Sequence, residues 1–376
     1  MKGLFLVFHG FSASNGIIKK VIAQVKALNA SGIATSLCNY SVQENGDRCW
    51  LIDNNILSNF GNGFIAKVRK RFCYTPIYQH ITTNDISFLY IRSDHNASPF
   101  LIRFVKHVRL SGTKVVMEIP TYPYDNEYIG FFDKVNLFVD RSFRKRLAQH
   151  LDAIVTFSNE KEIFGQKTIR ISNGIDFSTI PLKKETNNKN EIHLIGVAEI
   201  HYWHGFDRVI SGLIEYYKST ARYNVYFHIV GTFAEKEEDT RAHDLIRDGG
   251  IAQYIIFHGS KYGTELEQIF DICDFAIGSL ARHRSGITHI KTLKNREYAA
   301  RGIPFIYSET DDDFDSMPYI LKAKADDSPI DISRIVKFCE EEHYTAKDIR
   351  KSIEHLSWEI QMKKVVEQTK LINHDT

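Results

Sequence analysis

Residues 274–308 read DFAIGSLARHRSGITHIKTLKNREYAARGIPFIYS. An apolar run (274–280) gives way to a loop holding Arg282, His283, Arg284 and Gly286. A segment of helical period follows, which Gly302 stops and Pro304 closes, and a second apolar run (303–308) comes next. Strand, loop, helix and strand in that order are the mark of an α/β fold with a parallel sheet. Such sheets bind ligands outside the carboxyl ends of their strands, so chemistry is expected on the loop ARHRSGITH. A helix beginning near Thr288 or Thr292, either of which can cap it, would present free N–H groups to an anion. Arg284, Lys291 and Lys294 flank that start, and a diphosphate suits them. At helical spacing Lys291, Lys294, Glu297 or Tyr298, and Arg301 share one side. Glu297, the lone acid among these bases, is placed to accept hydrogen bonds from a ribose diol. The same spacing also fits a solvated basic helix with an ordinary Lys294–Glu297 pair.

The pattern extends in both directions. Apolar runs at 191–198, 225–231 and 254–259 precede the opening stretch, and amphipathic segments separate them. Earlier runs at 3–8, 33–38, 86–91, 114–119 and 152–157 form a first alternating set, with helices expected near 16–30, 97–110 and 136–150. The polar segment PLKKETNNKNE (181–191) reads as the linker between the sets. Residues 41–80, rich in Asn, Gly and Arg, fit neither period. A chain of 376 residues exceeds one ordinary domain, and the expectation is two doubly wound domains. The last segment, LSWEIQMKKVVEQTKLI (356–372), reads as an amphipathic helix.

Net charge divides unevenly. Residues 1–170 hold 22 Lys and Arg against 13 Asp and Glu, a net of +9, while residues 171–376 hold 26 against 33, a net of −7. A basic first half suits an anionic partner. Its basic-aromatic stretches, FIAKVRKRFCYTPIY (64–78) and RSFRKRLAQH (141–150), suit an anionic membrane surface. Nucleic acid is a competing reading, but no recognisable nucleic-acid module accompanies them, and a plain solvated helix face fits them equally well. Five scattered cysteines without CxxC spacing read as reduced thiols in a cytoplasmic protein, without zinc. The apolar start MKGLFLVFHG is too short for a signal peptide and reads as a buried strand.

Other strand ends offer candidate groups. In GVAEIHYWHGFDRVISGL (196–213), Gly205 sits at a strand-to-helix turn, and His204 or Arg208 could meet phosphate. In EIPTYPYDNEY (118–128), Glu118, Asp125, Glu127 and three tyrosines could hold sugar hydroxyls or act as acid or base, or form a rigid surface loop. FHGFSASNG (8–16) permits close approach of a ligand but is not GxGxxG, so a Rossmann dinucleotide site is not expected.

The succession ISNGID, WHGFDRVI, HIVG, IIFHG and LKNREYAARGIPFIY resembles family 4 glycosyltransferases of the GT-B fold, and bacterial members that build capsule or exopolysaccharide most of all. The resemblance covers residue 170 to the end well and the first half through its strand pattern, the EIPTYPYD loop and TFSNEKEIFG. It implies two facing Rossmann-like doubly wound domains, with residues 1–172 binding the acceptor and 173–355 the nucleotide sugar. The helix of 356–376 would cross back onto the first domain. Glu297 matches the family's ribose-binding Glu. Lys294, Arg284 and His204 match the basic groups on the diphosphate, His204 standing where many members have Lys. Gly231, Thr232 and Gly259 would border base and ribose.

The family often has a second Glu eight positions before the first, near the donor sugar, and here that position is His289. The resemblance therefore puts His289 and Asp125 forward as the groups nearest the chemistry. Ser14, Asn15, Gly16, Tyr122 and Tyr124 would meet the acceptor. It implies a retaining transfer with no metal or other cofactor, the nucleotide sugar being substrate and a UDP-sugar favoured over a GDP-sugar. The acceptor would be a glycan or lipid-linked oligosaccharide at the inner face of the plasma membrane, with no nucleic acid bound. The departure at His289 raises one alternative, a non-catalytic nucleotide-sugar-binding subunit that supports a partner enzyme. A GT-B nucleotide-sugar epimerase is a further one.

Overall fold

The computed structural model describes residues 1–10, 16–69, 72–125, 128, 130–184, 190–219 and 221–371. The chain forms two compact units, residues 1–174 with 358–376, and residues 175–357.

The first unit runs β1 (Lys2–Val7), α1 (Gly16–Ala30), β2 (Ala34–Val42), β3 (Arg48–Ile52), β4 (Asn55–Asn59), α2 (Gly63–Arg69), α3 (Thr75–Thr83) and β5 (Phe88–Arg92). It continues through α4 (Pro99–Leu110), β6 (Lys114–Ile119), α5 (Phe131–Ala148), β7 (Ala153–Thr156), β8 (Glu162–Ile163) and β9 (Gln166–Arg170). Strands β2, β1, β5, β6, β7 and β9 lie parallel in that spatial order, and β3, β4 and β8 add antiparallel edges. Local sequence explains the boundaries. Ser98 caps α4 by accepting from Leu101 N–H, and Pro99 opens the helix where its missing N–H is harmless.

Residues 41–69 and 72–80 fall into short strands, turns and helices. A hairpin joins β3 to β4 through Asp53 and Asn54, both at positive φ (47° and 69°), as a two-residue turn of the right hand requires.

The second unit begins with β10 (Glu191–Val197), α6 (Phe206–Lys218), β11 (Asn224–Val230), α7 (Lys236–Gly249), β12 (Ile255–Gly259), α8 (Gly263–Ile272) and β13 (Phe275–Ile277). It ends with α9 (Leu293–Arg301), β14 (Phe305–Tyr307), β15 (Ile320–Lys322), α10 (Ile332–Glu341) and α11 (Ala346–Ser352). Its six strands are all parallel, in the order β12-β11-β10-β13-β14-β15. Helices cover such a sheet, and its strands are accordingly near-continuous apolar runs. The order reverses between β10 and β13, which opens a crevice at their carboxyl ends.

One connection differs from the expectation. The polar segment read as the linker begins inside the second unit: Lys183 N–H donates to Arg301 O, its ammonium to Cys273 O, and Lys184 pairs with Asp271. The last helix, α12 (Trp358–Leu371), belongs to the first unit. It packs along α1, and Ser172 N–H donates to Gln361.

Three histidines form a ladder across the second sheet. His193 Nδ1 lies 2.9 Å from His228 Nε2, and His228 Nδ1 lies 2.9 Å from His258 Nε2. A neutral imidazole donates once and accepts once, so the neutral ladder satisfies both bonds. Burial, then His193 and His258, pulls the His228 pKa from 6.5 to about 4. A histidine whose pKa is lower in the fold than in the unfolded chain contributes stability that is complete above pH 6.5 and disappears as the pH falls toward 4. Denaturant unfolding should show stability flat above neutrality and falling below it. His228→Gln should remove about one linked proton from that slope, roughly 1.4 kcal/mol per pH unit. An unchanged slope in the variant would mean the ladder is already protonated when folded.

Candidate functional site

At the crevice the loop after β10 is laced to its neighbours. Ala198 N–H donates to Val230 O, Ile200 N–H to Thr232 O, and Gly231 N–H to Gly259 O. Gly231 holds φ +125°, and a Cβ there would sit 1.7 Å from Ala198 O. Only glycine permits this approach. Gly231, Thr232 and Gly259 are thus gathered at adjoining strand ends.

Residues 202–204 form a short 3-10 turn ended by Gly205, whose φ is +71°. A Cβ on Gly205 would press on Leu280 and Ala281, so the turn sits directly against the loop after β13. His204 is 8% exposed. Its Nδ1 accepts from His201 N–H, and its carbonyl accepts from Leu280 N–H. Burial, then Lys294, Arg282 and His201, holds its pKa well below the usual value. The ring is therefore neutral, with its hydrogen on Nε2. It can donate to a phosphate oxygen but supplies no charge.

The helix start is Leu293 rather than a residue near Thr288. Thr292 stands at the cap position without capping through its side chain, and its buried hydroxyl has no hydrogen-bond partner. Ser279 Oγ and Asn295 Oδ1, also buried, are likewise unpartnered. The Lys294 ammonium is buried without a hydrogen-bond partner, 5.9 Å from the Phe206 ring centroid. Burial, then Arg282, pulls its pKa from 10.5 to about 7, with the Glu297 carboxylate opposing. Glu297 is half-buried one turn further on. The Tyr298 hydroxyl accepts from Val197 N–H and donates to Ile277 O, which ties both crevice strands to α9.

Other bases in this stretch are committed to acids. Arg284 donates to both Asp207 oxygens, to Asp327 and to Tyr202 O. Its guanidinium is largely occupied in bracing its loop against α6. Arg301, expected on the ligand side with Lys294, instead pairs with Glu267 over the Phe270 ring. Arg296 is fully buried on Asp311 and Asp313. His289 is exposed before α9, its Nδ1 3.1 Å from Thr288 Oγ1. Ser279 was not singled out in the sequence, and Arg282, named there only as part of the loop, stands out here by its effect on His204 and Lys294. Ser279 follows the Gly278 that ends an apolar run, which is a usable signal. Nothing in the spacing distinguishes Arg282 from Arg284.

In the first unit, Ser14 and Asn15 lie outside the described residues, and Gly16 opens α1. Asp125 is clasped by Arg141 and Arg144. The Arg144 hydrogen bond, then Arg141 against the opposing effect of burial, keeps its carboxyl below the usual range. It stays ionised and is a weak base. Tyr124 is buried, donating to Asp140 and stacking on His95 at 3.7 Å. Tyr122 is half-buried against Phe164. Glu118, read as a loop carboxylate for sugar hydroxyls, is fully buried. It accepts from Gln24 and Tyr90 and pairs with Lys20.

No protein-family model matches the sequence, and a search of curated proteins found no match. Solved structures do match over the whole chain. A glycosyltransferase from Rickettsia africae ESF-5 shares 13% identity at TM-score 0.65, covering 100% of this chain and 99% of that one. Sucrose-phosphate synthase from Thermosynechococcus elongatus shares 11% at TM-score 0.68, covering 100% of both. Anabaena HepE in complex with UDP and glucose shares 13% at TM-score 0.61, covering 99% of both. The fold is that of the GT-B glycosyltransferases.

Lys294→Met keeps most of the stem and deletes the buried charge. It should stabilise the protein at pH 7 by roughly 2 kcal/mol. The gain should shrink as pH rises from 7 toward 10.5, because the folded lysine has already lost its proton there and the unfolded one has not. A loss of stability in denaturant unfolding would show that the ammonium is satisfied in the free protein.

Proposed function

We propose that the chain is a nucleotide-sugar-dependent glycosyltransferase, acting with retention and without a bound metal in surface polysaccharide biosynthesis. The observation that carries this reading is the buried, unpartnered Lys294 ammonium at the sheet's switch point, beside neutral His204 and one turn from Glu297. A buried cation with no hydrogen-bond partner, relieved only in part by Glu297, is unfavourable alone, and a diphosphate would relieve it. Lys294 would neutralise the leaving diphosphate, while His204 Nε2 and the start of α9 would donate to its oxygens. Glu297 would accept from the ribose hydroxyls, and Gly231, Thr232 and Gly259 would border base and ribose. His289 would stand near the donor sugar. Because Asp125 is held ionised by two arginines, it would orient the acceptor loop, and the donor's own phosphate oxygens would take the acceptor proton. A UDP-sugar is the first donor to test, since HepE was solved with UDP and with UDP-glucose.

Calorimetric titration of UDP, GDP, ADP and CMP into wild type and Glu297→Ala tests the site. One nucleotide should bind, and the variant should lose about tenfold or more of that affinity. Wild-type affinity should also weaken above pH 7, where Lys294 must take up a proton on binding. Equal affinity in a folded variant would remove Glu297 from the ribose and return the helix to a solvated basic face.

The acceptor in this reading is a glycan or lipid-linked oligosaccharide, reached by peripheral docking at the inner membrane face. Among the described residues no helix is long and apolar enough to cross a membrane. Phe64 (78% exposed), Ile65 (71%) and Phe138 (72%) instead stand in solvent beside basic residues such as Lys67, Arg69 and Arg141. Apolar groups beside cations suit an anionic bilayer surface. The protein should co-sediment with phosphatidylglycerol vesicles and not with phosphatidylcholine, and Phe64→Asp with Ile65→Asp should release it. Equal sedimentation with both lipids would count against docking by charge.

A further inference from the structure

The histidine ladder of the second unit ends beside the crevice. β12 is the edge strand of its sheet. Ile229 pairs with Phe257 and Val230 with Gly259, so the register passes over His258 and the strand bulges there. A bulge interrupts the backbone pairing and bends its strand, and such irregularities gather beside active sites. Here it brings Gly259, at φ +65°, to where its carbonyl accepts from Gly231 N–H at 2.8 Å. The residue that the register skips is the one whose ring meets His228, at 2.9 Å and with the ring planes 12° apart. A side-chain bond stands where the backbone pairing is interrupted.

The supply of hydrogens limits what that bond tolerates. Three neutral imidazoles carry one ring hydrogen each, and the two ring-to-ring contacts need one hydrogen apiece. The third hydrogen goes to an outer nitrogen, His193 Nε2 or His258 Nδ1. One added proton fills the other outer nitrogen, and both contacts survive. A second has no place except inside a contact, where two N–H groups would face each other. The ladder holds through its first proton and breaks at its second.

The charged neighbours set which contact breaks. His193 Nε2 lies 3.5 Å from Glu191 Oε2, and the Asp274 carboxylate accepts from His193 N–H. Tyr226 stacks on the His193 ring. The other end faces a base: burial, then Lys261, lowers the His258 pKa, and Lys261 is itself paired with Glu265 of α8. Besides burial, His228 feels its two neighbouring rings. The first charge thus belongs on His193, beside the acids. Like charges keep apart, so the second goes to the far ring, His258. The contact it breaks is the one at the bulge.

We propose that His258 is a positioning residue: bonded to His228, it holds the β12 bulge in place, keeps Gly259 against Gly231 and so shapes the end of the crevice that receives the nucleoside, and it lets go when the ladder takes a second proton. The nucleoside rests on the glycosyltransferase reading above; the latch rests on the strand register and the ladder alone.

The test uses the full chain and two readouts. The affinity of UDP-glucose, whose diphosphate diester stays ionised in mild acid, is measured calorimetrically from about pH 8 to about pH 5. The protection factor of the Gly231 amide against hydrogen exchange is measured by NMR without ligand. In wild type both should hold through the first proton and fall in acid, the affinity by about fivefold or more. His258→Ala, at a half-buried position on an edge strand, should lose about fivefold in affinity and the Gly231 protection at every pH. His258→Gln carries an amide that can donate or accept and does not titrate. It should restore most of what His258→Ala loses and flatten the acid limb, which a merely structural role would not do. The proposal is overturned if Gly231 protection ignores both pH and substitution, if His258→Ala binds as wild type does, or if His258→Gln keeps the wild-type acid limb. A chain that binds UDP-glucose with no dependence on His258 keeps the proposed function and loses the latch. One that binds no UDP-glucose while Gly231 protection follows the ladder keeps the latch and loses the nucleoside.

Discussion

The placement of α9 depends on what holds it from behind. Arg296 is buried on Asp311 and Asp313, Arg301 on Glu267, and the Tyr298 hydroxyl bridges the ends of β10 and β13. A buried ion pair adds little net stability, because desolvation offsets attraction, but removing one partner is severe. Its effect is therefore orientation. With residues 296, 298 and 301 committed to the protein interior, the helix cannot rotate without stranding a charge. Lys294 and Glu297 are the charged groups of α9 that lie outside these pairs.

That fixed orientation explains how a lysine can be held at a disadvantage. An unpaired buried ammonium would normally swing to solvent, since its stem is long and flexible. Here Phe206 stands beside the ammonium, while Arg282 adds repulsion and Glu297 only partly relieves it. Local instability of this kind concentrates at functional sites because the surrounding structure sustains it.

The sheets were legible because both faces of a parallel strand are buried, so runs such as 225–231 and 274–280 are apolar throughout. The β3–β4 hairpin was not, since its short edge strand Asn55–Asn59 has no buried position and offers no period to detect. Its turn signal, Asp53–Asn54, lay inside a stretch already crowded with Asn. Among the site residues, the arginines are the hardest to read from sequence alone. Arg284, Arg296 and Arg301 resemble ligands when their neighbours in sequence are the only ones visible. Their acids, Asp207, Asp311 and Glu267, lie 15 to 77 residues away and are brought in by the fold. Lys294 could be picked out only by showing that no acid hydrogen-bonds to it.

The two units differ in the kind of polarity they leave unmet. In the second, an ammonium is the stranded group, with neutral hydroxyls of Thr292 and Ser279 nearby in sequence on the same crevice elements. In the first, charges are resolved internally: Glu118 is surrounded by Lys20, Arg92, Gln24 and Tyr90, and Asp125 by two arginines. What the first unit leaves open around the cavity that Trp50, His95 and Asn96 line is an indole N–H, an amide oxygen and a neutral imidazole nitrogen. A stranded cation selects an anion and tolerates much variation in its shape. That is a division between charge and neutral polarity. The division follows from which buried groups each unit has paired.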